Sequence, residues 1–164
     1  MKIYLIRHGI AESRNIEQND PERILTGRGI TKTQKVAQKL SNLEVKFDVI
    51  ISSPYTRAKE TAIILQQAKL TSEIIEHSAL EPEGNILEWI SWLQNFNCNQ
   101  NSSIALVGHQ PNLGNWTELL VWGQIHGKLI LKKAGIIGLD LLDLSNPIGT
   151  SELFLLAGPK WITN

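Results

Sequence analysis

One cysteine, Cys98, is all the thiol this chain has. No intrachain disulfide framework is open to it, and the composition fits a reducing cytosol, so a cytoplasmic location is expected. Cys98 lies in a polar stretch between Asn95 and Ser103 with no CxxC partner, and is read as incidental. Charge of one sign is missing too: 16 Lys plus Arg balance 16 Asp plus Glu. A nucleic-acid partner is therefore not expected, because such binders show a basic surface, although a local basic pocket stays open. No apolar run approaches the roughly 20 residues that cross a bilayer, and no membrane partner is expected. Strand-like residues begin at Ile3, which leaves no room for the basic and apolar regions of a signal peptide. Without a repeat, a low-complexity tail or a linker, the expectation is one domain over residues 1–164.

Several chemical signatures are absent as well. There is no GxxxxGKS/T loop. Gly27-Arg28-Gly29 and the pair Gly135 and Gly138 lack the GxGxxG spacing. Gly108-His109-Gln110 is not GxSxG, and Ser52 and Ser53 show no triad order. His8 and His109 stand outside HExxH or any related spacing, and two histidines alone seldom hold zinc, so no metal is expected.

What is present starts with Ile3, Tyr4, Leu5 and Ile6, an unbroken apolar run that reads as a strand buried on both faces. It stops at Arg7-His8-Gly9, where a cation, an imidazole and a permissive glycine reach the edge of the sheet. The competing reading has Arg7 in solvent and His8 as a packed histidine. A polar loop over Ser13 to Arg23 follows, placed to form a wall beside that edge. Leu25 to Gly29 reads as a turn, with Thr31 as the cap of a helix to Leu43 that buries Val36, Ala37 and Leu40. A strand over Val45 to Ile51, a helix over Thr56 to Ala68 and a short strand over Ser72 to Glu76 come next. Leu80 to Gly84 is a loop carrying Glu81 and Glu83. Ile86 to Phe96 is helical by its apolar spacing, its tryptophans read as core and groove lining. Ile104 to Gly108 is another buried strand ending in His109, and Asn115 begins the next helix. Then the pattern changes: Leu129 to Leu131, Gly135 to Leu142 and Leu153 to Ala157 look like strands without long helices between them. The fold expected is α/β, a three-layer α/β/α domain with a mostly parallel sheet and late antiparallel strands.

Three strand ends carry polar groups: Arg7-His8-Gly9, Ser52 through Arg57, and Gly108-His109. In a parallel sheet these ends share one edge, where open α/β sheets bind their ligands. Two arginines and two histidines there make an anion pocket, since the guanidinium fork matches phosphoryl oxygens bidentately.

Leu5 to Gly9 resembles the signature of the histidine phosphatase superfamily, also called the phosphoglycerate mutase-like fold. Ser52 to Ala62 and Val107 to Leu113 are similar to its further motifs. The short length, Ile10-Ala11-Glu12, Leu25-Thr26 and the spacing of His109, Pro111 and Leu113 resemble its SixA-type phosphohistidine phosphatases. The resemblance runs from Lys2 to about Gly158 and implies roles. His8 is the counterpart of a nucleophile that becomes phosphorylated. Arg7 and Arg57 correspond to a phosphate clamp, and His109 to the second histidine of the phosphate pocket. Ser52 occupies the place of a serine near that pocket. No metal or cofactor is implied. Larger members carry a carboxylate that protonates an alkoxide leaving group; Glu81 and Glu83 are the candidates here, against a reading as solvated loop carboxylates. The implied substrate is phosphohistidine on a phosphotransfer or carrier protein. A small-molecule phosphomonoesterase of the same superfamily and a non-catalytic phosphate-recognition module stand as alternatives.

Overall fold

The computed structural model describes residues 1–14, 19–96 and 99–163. Cys98 and residues 15–18 of the expected Ser13 to Arg23 loop lie outside the described residues. The elements are β1 (Lys2–Arg7), α1 (Gly27–Asn42), β2 (Val49–Ser52), α2 (Thr56–Gln67), β3 (Ile74–Glu76), α3 (Ile86–Asn95), β4 (Ser103–Gly108), α4 (Asn112–Trp122), β5 (Ile136–Asp140), β6 (Glu152–Ala157) and the single turn α5 (Pro159–Ile162). Short 3-10 turns occupy Asp20–Glu22 and Ser78–Leu80.

The six strands form one sheet in the order β3-β2-β4-β1-β5-β6. The first four run parallel, and β5 runs against both of its neighbours. Alternation along each strand sends side chains to two faces. Ile3, Leu5, Val49, Ile51, Ile104 and Leu106 pack beneath α3 and α4, with Trp89 and Trp116 in that layer. Ile6, Ile50, Ala105 and Val107 pack beneath α1 and α2, against Val36, Leu40, Ala62 and Leu65. The expected three layers are therefore present, with β1, β2 and β4 covered on both faces. Trp89 is fully buried and Trp92 packs against the same core, as expected for core and lining residues. No helix among the described residues is long and apolar enough to cross a membrane.

Four elements differ from the sequence pattern, and the second strand is one, beginning at Val49 rather than Val45. Helix α1 starts four residues before Thr31, capped by Thr26, whose Oγ1 accepts the Gly29 N–H at 3.0 Å. Thr31 instead donates to the Gly27 carbonyl inside the helix. The two glycines read as a turn signal belong to the first helical turn because that turn lies against the chain leaving β1. A Cβ on Gly29 would stand 2.0 Å from the Ile10 carbonyl oxygen. Helix α4 begins at Asn112 rather than Asn115.

Leu129 to Leu131 forms no strand. Its backbone is claimed by side chains instead. The Glu118 carboxylate accepts the N–H groups of His126, Gly127, Lys128 and Leu129. The Gln110 amide donates to the Leu129 carbonyl at 2.7 Å and accepts from the Leu131 N–H at 3.4 Å. With these groups satisfied, the segment has no ladder to join. Gly114 makes the approach possible, since a Cβ there would meet the Leu129 oxygen at 2.1 Å. Burial would raise the Glu118 carboxyl, but the four amides hold it down at about 2.

Candidate active site

The strand register assembles the site. Arg7 of β1 pairs with Gly108 of β4, and Ser52 of β2 pairs with Val107. His8 and His109 therefore leave the sheet side by side, with ring centroids 5.0 Å apart. The His8 N–H donates to the Gly108 carbonyl at 3.1 Å, which fixes the exit of the chain. Helix α2 begins just past β2 and delivers Arg57 from its first turn, almost fully buried. Its guanidinium reaches the His8 ring.

Hydrogen bonds assign the proton position on the His8 ring. The Arg57 Nε–H points at His8 Nε2 at 3.3 Å, so that nitrogen is an acceptor. His8 Nδ1 then carries the proton and donates to the Gly9 carbonyl at 2.7 Å. Gly9 is held in turn by its N–H to Thr61 Oγ1 at 3.0 Å. Ser53 Oγ accepts the Tyr55 N–H at 3.3 Å and lies 2.9 Å from His109 Nε2. With one proton and two lone pairs, that hydroxyl fits either tautomer of a neutral His109 ring. Both rings are neutral in this pattern. Burial, and then the proximity of His109, Arg57 and Arg7, push the His8 imidazole down to about 2 against the Gly9 hydrogen bond. Burial and the surrounding arginines push His109 down to about 3.

Arg7 donates Nη1–H to the Leu131 carbonyl at 2.8 Å, so the segment clamped by Glu118 and Gln110 also positions the first arginine. Arg57 donates to the Asp20 carbonyl at 2.7 Å and to its carboxylate at 3.1 Å. Asp20 is shared with Arg23, which is 2.7 Å away. Burial works to raise the Asp20 carboxyl, but Arg57 and Arg23 hold it below the ordinary carboxylate range. The loop after β1 thus does form a wall at Asp20, as its position in the sequence implied. Of the four buried side-chain polar atoms without a partner among the described residues, two belong to this cluster: Arg7 Nε and His109 Nδ1. Arg7 Nε can only donate, and the His109 ring lies 5.0 Å from that of His8, whose Nε2 takes the Arg57 Nε–H. A buried guanidinium with an unpaired N–H is costly, and an oxyanion is the kind of group that would offset that cost.

Arg7, His8, Arg57 and His109 are therefore brought together. The glutamates are not joined to them. Glu81 is half-buried and Glu83 exposed, and no hydrogen bond links either carboxylate to the four among the described residues. Glu81 is the nearer in effect: after burial, it is the main influence raising the Tyr55 hydroxyl, and the Tyr55 ring packs edge-on against His109 at 5.2 Å. The serine that meets the site is Ser53, not Ser52. Alternation turns Ser52 away, and its hydroxyl bonds the Ser53 carbonyl at 2.9 Å. Sequence reasoning also missed Asp20 as the partner of Arg57. The signal available was Asp20-Pro21 in a polar loop directly after Arg7-His8-Gly9. Among the described residues no group of three or more His, Cys, Asp and Glu side chains is placed to hold a metal ion.

The buried rings predict a dependence of stability on pH. Both histidines titrate lower in the folded chain than the ordinary 6.5, so the unfolded chain binds more protons between the two values. Their contribution is complete above pH 6.5 and declines as pH falls toward 3. The expected loss from pH 6.5 to 5 is up to roughly 2 kcal/mol for each ring. Urea unfolding of wild type and of the double variant His8→Gln, His109→Gln checks this. A variant with the same slope as wild type removes the two rings as its source.

A family model described as the histidine phosphatase superfamily, branch 1, matches residues 3–89. An uncharacterised protein of Picosynechococcus sp. is 42% identical over 163 residues, covering 99% of each chain. The mitochondrial serine/threonine-protein phosphatase Pgam5 of Drosophila ananassae is 37% identical over 115 residues, 70% of this chain but 32% of that protein. In structure, the chain is similar to the protein histidine phosphatase SixA complexed with tungstate. There the TM-score is 0.85 at 23% identity, over 99% of both chains. The α-ribazole phosphatase from Shigella flexneri gives 0.69 at 16% identity, over 97% of both. Those two likenesses show the phosphoglycerate mutase-like fold. Because the family model spans more than half of the sequence, including β1, the Arg7-His8-Gly9 turn and Arg57, the chain belongs to branch 1 of the histidine phosphatase superfamily.

Proposed function

We propose that this protein is a phosphohistidine phosphatase in which His8 carries the phosphoryl group. The observation that supports it is the neutral, buried His8 ring, its proton held on Nδ1 by the Gly9 carbonyl and its Nε2 lone pair turned to the Arg57 guanidinium. In the first step Nε2 attacks phosphorus, the N–P bond of the substrate breaks, and the leaving imidazole nitrogen takes a proton from water. Arg7, Arg57 and His109 donate to the phosphoryl oxygens as their charge develops. The Arg57 Nε–H leaves Nε2 as the new N–P bond forms and turns to a phosphoryl oxygen. In the second step water attacks phosphorus, the His8 N–P bond breaks, and inorganic phosphate departs. All of the chemistry assigned to the chain is done by its own side chains.

The placement of Glu81 and Glu83 favours a phosphoramidate over an alkyl ester. An alkoxide leaving group needs an acid within hydrogen-bond reach, while an imidazole nitrogen can be protonated before cleavage. The physiological substrate on this reading is a phosphotransfer or carrier protein, and the cysteine usage fits a reducing compartment such as the cytosol. The alternative, a small-molecule phosphomonoesterase, draws on the likeness to the Shigella protein. The experiment compares kcat/KM on a phosphohistidine protein, a sugar phosphate and a phosphoglycerate, in wild type, Glu81→Gln and Glu83→Gln. Phosphohistidine is expected to be turned over fastest, and both variants to keep most of that activity. Faster hydrolysis of an alkyl phosphate, with collapse in one glutamate variant, would make that glutamate the general acid and the protein a metabolite phosphatase.

A further inference from the structure

Arg7 faces more than the His8 pocket. It also lines a surface cleft of about 420 Å³ with Lys32, Lys132, Lys133, Lys160 and Trp161. That cleft shares Lys32 and Lys160 with a neighbour of about 560 Å³, which follows α1 past Arg28 and Lys35. Seven of the 16 lysines and arginines thus lie along one track in a chain of zero net charge. Among the described residues lining the two clefts none is acidic. None of the seven takes part in an ion pair with any described residue. The field is continuous with the site: burial first, and then Arg7, Arg23 and Arg57, push the Lys133 ammonium below its ordinary value. Trp161 stands on the same wall with 83% of its surface exposed. An exposed indole of this kind is a frequent anchor for a partner chain.

We propose that this basic track docks an acidic polypeptide segment of the phosphorylated substrate, laid along α1 and α5 so that its phosphoryl group enters beside Arg7. The proposal rests on the phosphatase reading above. Length argues for a polypeptide over a small dianion. Arg28 and Lys35 lie on one face of α1, separated by about 10 Å at a rise of 1.5 Å per residue. At about 3.3 Å per residue, an extended chain needs three residues to cover that part alone. The track then continues past Lys160 to Arg7. Like-charge repulsion excludes a basic partner, and the lysines speed encounter with an acidic one.

The test uses two synthetic phosphohistidine peptides, identical but for Glu or Lys at the flanking positions, with phosphoramidate as the small substrate. Wild type is expected to favour the Glu-flanked peptide by about tenfold or more in kcat/KM at low salt, and by much less at 0.15 M or above, where the Debye length is about 8 Å. The triple variant Lys32→Glu, Lys35→Glu, Lys160→Glu should lose that preference and keep its turnover of phosphoramidate. Binding of the unphosphorylated Glu-flanked peptide, followed by calorimetry, should be present in wild type and absent in the triple variant. Equal kcat/KM on both peptides, unchanged binding by the triple variant, or tighter binding of a single-stranded oligonucleotide than of the Glu peptide overturns the docking surface. If no phosphorylated compound is turned over while the Glu peptide still binds at the track, the phosphatase reading falls and the acidic-chain surface stands.

Discussion

Replacing His8 with alanine is expected to lower turnover of a phosphohistidine substrate by roughly four orders of magnitude or more, because it removes the atom to which phosphorus is transferred. Rapid quench with labelled substrate should show label on wild-type His8 within a turnover and its disappearance afterwards. The variant should carry no such label. The surrounding donors remain in the variant and still bind an oxyanion, so product affinity should change far less than rate. A covalent adduct that persists in His8→Ala, on His109 or elsewhere, would falsify the assignment of the nucleophile. His109 is the natural rival, since it lies in the same buried cluster. The contacts separate the two: the Gly9 carbonyl commits His8 Nδ1 as a donor and so leaves Nε2 as the basic nitrogen beside Arg57, whereas His109 Nε2 is engaged by Ser53 Oγ.

The second large effect is expected at Arg57. Its truncation to alanine removes the donor to His8 Nε2 and the main partner of Asp20 together. Loss of one preorganised donor to a developing oxyanion typically costs about 10²–10³ in kcat, and that is the loss expected for Arg57→Ala. Arg57→Lys should recover little, because an ammonium cannot hold Asp20 with two nitrogens and address a phosphoryl oxygen with a third. Steady-state kinetics on phosphohistidine, alongside a denaturation midpoint for each variant, reads this directly. A folded Arg57→Ala protein within tenfold of wild-type kcat/KM sinks the clamp.

The parts of this protein that were legible in its sequence are those governed by short-range pattern. Ile3 to Ile6 and Ile104 to Val107 announce buried parallel strands by continuous apolar character, and parallelism then requires their C-terminal ends to meet. That logic places Arg7, His8 and His109 at one edge without any knowledge of contacts. Arg57 follows because α2 begins where β2 ends. What the pattern could not reveal is set by tertiary contact. Whether Ser52 or Ser53 meets His109 depends on which face of the sheet each takes at the last position of a strand. The true start of α1 depends on the close approach of Gly29 to Ile10. The missing strand at Leu129 to Leu131 depends on a glutamate eleven or more positions away and on a glutamine beside His109. Glu118 stands amid the apolar residues of α4, and an acid in that setting is the one local sign that something polar waits for it.

That glutamate has a further consequence for how the site moves. The segment from His126 to Leu129 owns no helix or ladder, yet its four amides end on one carboxylate anchored in α4. Such a segment does not fray residue by residue. It is released in one event, when the carboxylate lets go, and until then its hydrogen exchange follows the opening of the helix that holds it. Because Arg7 leans on the Leu131 carbonyl just beyond, the placement of its guanidinium is tied to the closure of α4.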